Sequence, residues 1–413
     1  MDLDAWQRYI SSTLSLPPSS FSVTRLLGGV LNSTIRLALT HPLESLSLPG
    51  IPSRPFDPPL ASIVLKHAPP HMPGDADFPL STFRQTCEAR ALELFEAPFL
   101  QGVLHHAQVE VPRLIYHDEA ATVLWMTDLG SLVTLSDYLR GVPLANPSDE
   151  AAQASSIGKR IGTALAELHL ATLNPSQELS ERFKNPDPPK SSEIAAHQGP
   201  LIRRMIEAYA TRSVPDAEIL SQRLGLEDDV VDAPAQGAGK GLVLSMGDVW
   251  PGSVLLGPHG GNDIKFALVD WEFFGATHPG AEIGALASHL HSHELEGTHP
   301  SQKWDIAPER KRLVTTRSEA CGLAVVEAYT TTAGPGITRT PTFRRRALCA
   351  YGRESLNAAD FRKEWLDDEG KSKSVDEGAR ALRAAGGNEV EMSMEELGEQ
   401  SVILCRLIGL ARV

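Results

Sequence analysis

At 413 residues with 42% hydrophobic content and a formal charge of −14, the chain can bury a core in two domains or one bilobal unit. That charge argues against a nucleic-acid partner, whose phosphates demand clustered Lys and Arg, and leaves solubility or a cationic substrate as its readings. No apolar run approaches the roughly 18 residues of a membrane helix and the start, Met1-Asp2-Leu3-Asp4, is acidic where a leader is basic, so neither membrane nor secretion is expected and the cytoplasm is.

Phe21 to Leu39 alternates apolar and polar residues around Gly28-Gly29, which predicts two strands joined by a glycine turn. His41 to Pro59 holds six prolines and no periodicity, and reads as an exposed loop before a strand at Ser62–Lys66. Thr82 to Leu94 has helical spacing, with Cys87, Ala91, Leu94 and Phe95 facing inward. Val109–Leu114 and Thr122–Met126 read as two more strands. Thr127-Asp128-Leu129-Gly130 then breaks the pattern. The expected organisation is α/β (α+β): a β-rich N-lobe over residues 1–126, with a five-stranded sheet, one helix and a Pro-rich insert at 41–59, and a mostly helical C-lobe over 127–413.

In the second part Ile157 to Leu168 is a helix with Ile161, Leu165 and Leu168 on one stripe. Two short strands, Leu242–Leu244 and Phe266–Val269, deliver Asp248 and Asp270 just past their ends, with a turn at Gly257–Gly261 before the second. Phe361 to Gly386 is charge-rich and reads as solvated. Cys87, Cys321, Cys349 and Cys405 form no CxxC pair, so neither a zinc site nor a disulfide framework is suggested.

Phosphoryl transfer asks for cover over a triphosphate, a lysine on its phosphates, carboxylates for Mg²⁺ and a carboxylate facing the attacking hydroxyl. Each has a candidate in order. The turn Gly28-Gly29-Val30-Leu31-Asn32-Ser33 can bring backbone amides close to phosphates, or be an ordinary hairpin turn. Lys66 ends a buried-looking β-run, where a cation needs a partner, and Glu88 follows on a helix; the alternative is a lysine reaching solvent. Ser245-Met246-Gly247-Asp248-Val249-Trp250-Pro251-Gly252-Ser253, followed by Val269-Asp270-Trp271-Glu272, has the spacing of a kinase catalytic loop and metal motif. Asp248 is then the base or the orienter of the hydroxyl, Ser253 an oxygen ligand to Mg²⁺, Asp270 the main metal ligand and Glu272 a second carboxylate near the metal.

These motifs, over Val23 to His293, resemble the aminoglycoside phosphotransferase, choline kinase and 5-methylthioribose kinase family, which has a protein-kinase-like fold. The blocks Leu27-Gly28-Gly29-Val30-Leu31-Asn32 and Leu65-Lys66-His67-Ala68-Pro69-Pro70-His71-Met72 are most similar to its fungal 4-hydroxytryptamine kinase subgroup, a likeness from which no acceptor is read. The resemblance implies ATP clamped between lobes, Lys66 on its phosphates, Glu88 holding Lys66, and adenine on the backbone of Met126, Asp128 and Leu129. It implies a small-molecule hydroxyl as acceptor, with ATP and Mg²⁺ as cofactors. Two positions depart from the family: Met246 stands where a His commonly precedes Gly-Asp, and Ser253 where the metal-binding Asn stands. A catalytically weak or inactive pseudokinase that binds nucleotide or a partner is the alternative those departures leave open.

Glu282 falls where related kinases carry an acidic residue that supports the catalytic loop. His289, His291 and His293 have metal-like spacing, but their surroundings read as helical, which places only His289 and His293 on one face.

Overall fold

The computed structural model describes residues 1–29, 31–48, 51–73, 75–144, 149–184, 204–209, 241–259, 263–304, 306–385 and 402–409. They form two compact units, one of Met1–Ala97 with Val111–Ser131, the other of Pro98–Glu110, Leu132–Lys184 and the later residues. The change of unit thus falls at Ser131, not Met126, and 98–110 goes with the helices. The mixed α/β class expected from the sequence is found, with the sheet first and the helices after it.

The first unit opens with helix α1 (Leu3–Leu14), which the sequence reading leaves unassigned. Asp2 caps it by accepting from the Ala5 N–H at 2.8 Å, and Trp6 and Ile10, four residues apart, form its buried stripe. Strands β1 (Phe21–Leu26), β2 (Ser33–Leu48) and β3 (Ile51–His67) follow, then a small hairpin of β4 (His71–Met72) and β5 (Asp75–Pro79), and helix α2 (Phe83–Phe95). Strands β6 (Leu114–Asp118) and β7 (Val123–Thr127) complete an antiparallel sheet ordered β1-β2-β3-β7-β6. On one face the period-two residues Ile35, Leu37, Ile63, Leu65, Val123 and Trp125 pack against Trp6 and Ile10. Burying each such side chain contributes about 1.5–3 kcal/mol. Lys66 follows Leu65 on central strand β3, so the pleat turns it away from that core.

Two sequence expectations fail here. The Pro-rich stretch 41–59 is not a loop: β2 and β3 run through it as a long hairpin, apart from residues 49–50 outside the described set. Its prolines are tolerated because the β2–β3 register shifts between Ala38 and Leu43, Leu43 and Ser45, and Leu46 and Leu48, where ladder hydrogen bonds are interrupted anyway. The expected strand at Val109–Leu114 begins instead at Leu114, because Pro112 cannot donate to a ladder.

The second unit contains α3 (Pro98–His106), β8 (Val133–Thr134), α4 (Leu135–Leu139), α5 (Glu150–Ala171), β9 (Val243–Ser245), β10 (Val254–His259), β11 (Asp263–Leu268) and β12 (Gly275–Thr277). Longer helices follow at Pro279–Thr298, Pro308–Ala333, Pro341–Phe361 and Asp368–Ala385. Strands β11, β10 and β8 form one small sheet and β12 with β9 another. Of the turn expected at Gly257–Gly261, Gly257, Pro258 and His259 instead belong to β10, paired with Lys265, Ile264 and Asp263 of β11, and the rest lies outside the described residues. Helix α5 lies on Pro308–Ala333, and Pro279–Thr298 packs on both Pro308–Ala333 and Pro341–Phe361. Residues 368–385 are not merely solvated: Val375, Ala379 and Leu382 bury one face of their helix with Leu356 and Ala359 of Pro341–Phe361.

Candidate active site

In the β-rich unit, Lys66 Nζ meets Glu88 Oε2 of α2 at 2.6 Å, and both side chains are buried. Helix α2 also fixes the strand beside the lysine, since Gln85 Nε2 donates to the Lys66 carbonyl at 2.6 Å. Gly28 has a φ of +123°, and neither it nor Gly29 has an atom within 4 Å of where a Cβ would stand. Leu27 beside them is 88% exposed, and Val30 lies outside the described residues. Asn32, at the return of this turn, has its Oδ1 3.4 Å from both Nε and Nη2 of Arg84.

Met126 is buried in β7, with Leu129 half-buried beyond the strand. Asp128 does more than the backbone contact assigned to it. Its carboxylate accepts from Arg36 Nε at 2.6 Å, Arg36 Nη2 at 3.0 Å and the Gly130 N–H at 2.9 Å. Burial pushes this carboxyl up, but those hydrogen bonds outweigh it and hold it below the ordinary range.

In the helical unit, β9 ends at Ser245 and the loop through Ser253 follows. Gly247 has a φ of +78°, and a Cβ there would stand 2.1 Å from the Phe273 carbonyl oxygen, so only glycine fits. The Trp250 indole lies over Gly252. Ser253 is buried; its Oγ donates to the Trp250 carbonyl at 2.8 Å and accepts from the Trp250 N–H at 3.2 Å, which closes the loop on itself. The Val269 N–H then donates to the Ser253 carbonyl at 3.0 Å, tying the end of this loop to the residue before Asp270. Asp270 has a φ of +74°, a conformation that side chains other than glycine adopt at a cost. Oxygens of Asp270 and Glu272 lie within 4.8 Å of each other.

Asp248 is open to solvent. Its carboxyl is pushed up to about 7 by the protein packed round it and then by the charges of Glu354, Asp270 and Glu272, with Arg353 acting the other way. The carboxylate repulsion is the part of that shift that a cation among these groups would cancel.

The loop backbone is held from behind. Glu282 Oε1 accepts from the Met246 N–H at 2.6 Å and the Gly247 N–H at 3.3 Å, while its Oε2 is 2.6 Å from His169 Nε2. His169 Nδ1 is in turn 2.8 Å from the Tyr329 hydroxyl. With Nε2–H donating to the carboxylate, Nδ1 accepts from Tyr329. Burial and the nearby Glu282 charge push that phenol well above its usual value. His169 of α5 thus backs the carboxylate that holds the loop. His169 was not singled out in the sequence, although it follows Leu165 at i+4 on the apolar side of its helix, where a histidine needs a partner.

His289, His291 and His293 lie on the helix Pro279–Thr298, as the context predicted. Each faces a carboxylate: Glu354 at 3.9 Å, Glu377 at 3.1 Å and Glu296 at 3.0 Å respectively. The His291 and His293 pairs are buried, and the His289–Glu354 pair is partly exposed.

A family model described as "Phosphotransferase enzyme family" matches residues 78–303, more than half of the chain. The chain belongs to the phosphotransferase enzyme family. The family resemblance read from the glycine turn and the two aspartate motifs is therefore borne out. The chain is 25% identical over 386 residues to the 4-hydroxytryptamine kinase of Psilocybe cyanescens, covering 91% of each. It is 30% identical to the 4-hydroxytryptamine kinase of Psilocybe cubensis over 269 residues, 64% of this chain and 66% of that one. Among solved structures, choline kinase from Cryptosporidium parvum Iowa II is similar at a TM-score of 0.49 and 10% identity, over 93% of this chain and 95% of that one. As a member of this phosphotransferase family, the protein is an enzyme that transfers a phosphoryl group to a hydroxyl of a small molecule. No observation on the chain favours the inactive alternative.

Proposed function

We propose that the phosphoryl donor is ATP, that Mg²⁺ is the metal, and that Asp248 is the base. The observation that carries this reading is the pairing of Asp270 and Glu272 carboxylates just after the Asp248 loop, with the charges of both reaching Asp248. Hard carboxylate oxygens of Asp270 and Glu272, within 4.8 Å of each other, are the donor chemistry that Mg²⁺ takes. Ser253 adds a hydroxyl oxygen to that set. Mg²⁺ bound there neutralises charge on the phosphates and the transferring group.

The chain's own residues supply the rest. Lys66, held by Glu88, contacts the phosphates; the amides of Gly28 and Gly29, with Asn32, cover them. The backbone of Met126, Asp128 and Leu129 receives the adenine. Asp248 orients the acceptor hydroxyl and takes its proton, while Glu282 and His169 hold the Asp248 loop against Phe273. A hydroxylated amine is the acceptor to try first, since the two fungal relatives are named for 4-hydroxytryptamine. This reading calls for no nucleic-acid or membrane partner and is compatible with the cytoplasm; among the described residues no helix is long and apolar enough to cross a membrane.

Thermal unfolding tests it. ATP with Mg²⁺ at 100 times its Kd stabilises the fold by about 2.7 kcal/mol, and Lys66→Ala shrinks that shift. If neither ATP nor ADP moves the melting temperature at millimolar concentration, the nucleotide assignment falls. Mg²⁺-dependent ADP release with a panel of hydroxylated amines and sugars then identifies the acceptor.

A further inference from the structure

Arg84 is the second residue of α2 and is 5% exposed. A buried cation in the first turn of a helix opposes the helix dipole and costs desolvation, so its place needs a reason. Its Nη1 donates to the Ser81 carbonyl at 2.9 Å and its Nη2 to the Pro69 carbonyl at 2.8 Å. Two carbonyls would suffice for a residue that only ties the helix start to the end of β3. The guanidinium does more, for Nε and Nη2 both face Asn32 Oδ1 at 3.4 Å.

Three side chains of α2 therefore reach the phosphate-side elements in succession. Arg84 faces Asn32, Gln85 donates to the Lys66 carbonyl, and Glu88 holds Lys66 Nζ. The return of the glycine turn is gripped a second time, because Trp6 Nε1 donates to Ser33 Oγ at 3.2 Å. Toward the tip, nothing lies within 4 Å of where a Cβ of Gly28 or Gly29 would stand, and Leu27 is exposed. The β2–β3 ladder pairs Ser33 with His67 and Thr34 with Lys66, so Asn32, the residue just before it, is the point at which Arg84 bears on how the glycine turn leaves the Lys66 strand.

We propose that Arg84 is a positioning residue for nucleotide binding, acting through Asn32 to set the glycine turn against the Lys66 strand before ATP arrives. The inference rests on the nucleotide reading of Lys66 and the turn. A turn already ordered in the free protein loses less freedom on binding, so the effect falls on affinity for ATP and not on the chemical step.

The test is a cycle of Arg84→Gln, Asn32→Ala and the double variant, with KM for ATP, kcat and melting temperature measured for each. Arg84→Gln raises KM for ATP about tenfold and leaves kcat within about threefold. The double variant is no worse than the more affected single one, because the two residues act as one contact. Arg84→Lys keeps the charge but loses the fork and shows most of the same KM rise; it also completes the cycle if Arg84→Gln does not fold. Additive effects on KM, or a lowered melting temperature with unchanged KM, would show a merely structural arginine. Lys66→Ala keeps the two readings apart. If it weakens ATP binding while the Arg84 variants do not, only the role of Arg84 is lost; if it too leaves binding unchanged, the nucleotide reading itself is wrong.

Discussion

Gly247 shows how one residue's backbone decides the chemistry next to it. It stands directly before Asp248, at a φ of +78° that side chains rarely adopt, with the Phe273 carbonyl where a Cβ would go. Gly247→Ala is expected to push the loop off Phe273 and break the Glu282 hydrogen bonds, so kcat falls by at least about 10²-fold. Nucleotide affinity should fall far less, since Asp270 and Lys66 are not on this loop. Steady-state kinetics beside calorimetric ATP binding checks this, and a variant with normal kcat would show that the loop tolerates the shift. The candidate loop was legible because its parts are sequence neighbours: Asp248 to Ser253, then Asp270 to Glu272. Behind it, Glu282 was read from the family resemblance and holds the loop as expected, whereas His169 was not foreseen. His169 and Glu282 are 113 positions apart, and only folding brings them to 2.6 Å.

Elements that periodicity defines were read well and elements that composition masks were not. The helix Phe83–Phe95 buries Cys87, Ala91, Leu94 and Phe95, the four inward positions expected from spacing. The six prolines of 41–59 hid the strands β2 and β3, since a register shift that accommodates proline leaves no mark in one sequence. Close helix approach was equally invisible. A Cβ on Gly158 of α5 would stand 2.2 Å from the Cys321 carbonyl oxygen of Pro308–Ala333. Gly158→Ala is therefore expected to force the two helices apart and cost about 1–3 kcal/mol. Gly102→Ala on α3, where nothing lies within 4 Å, should be neutral or gain up to about 1 kcal/mol. Urea unfolding of the two variants distinguishes them, and equal losses would contradict the packing account.

Across the whole molecule, buried titratable groups set how stability responds to acid. Burial is the leading cause that holds His67, His278 and His289 down to about 4 and His293 to about 3. Such histidines stay neutral in the folded chain while the unfolded chain binds their protons below about 6.5, so they destabilise the fold as pH falls from there to about 4. Asp248 and Glu377, both pushed up to about 7 chiefly by burial, act in the opposite sense. They bind protons in the folded chain first and favour it from pH 7 down to the ordinary carboxylate range. The histidines outnumber these two carboxyls, so acid is destabilising on balance between pH 6 and 5. Below pH 4.5 the depressed carboxyl of Glu296, buried among His293, Arg362 and Arg140, adds to the loss, since its contribution is present above its unfolded value and disappears as it protonates. Melting temperature across pH 7 to 4 checks the sign; a rise on acidification would contradict it. In the proposed mechanism, two aspartates from neighbouring motifs do different work. Asp270, bent into its φ of +74° beside Glu272, is assigned to metal, and Asp248, at the open end of the loop, to the acceptor hydroxyl. Calorimetric affinity for Mg²⁺-ATP, measured with kcat for Asp248→Asn and Asp270→Asn, tests that division most directly. Asp248→Asn should keep its affinity and lose about 10² to 10⁴ in kcat, while Asp270→Asn should lose both, with partial recovery at high Mg²⁺. Turnover of Asp248→Asn within about threefold of the unaltered enzyme, or lost binding there with binding kept in Asp270→Asn, would contradict it.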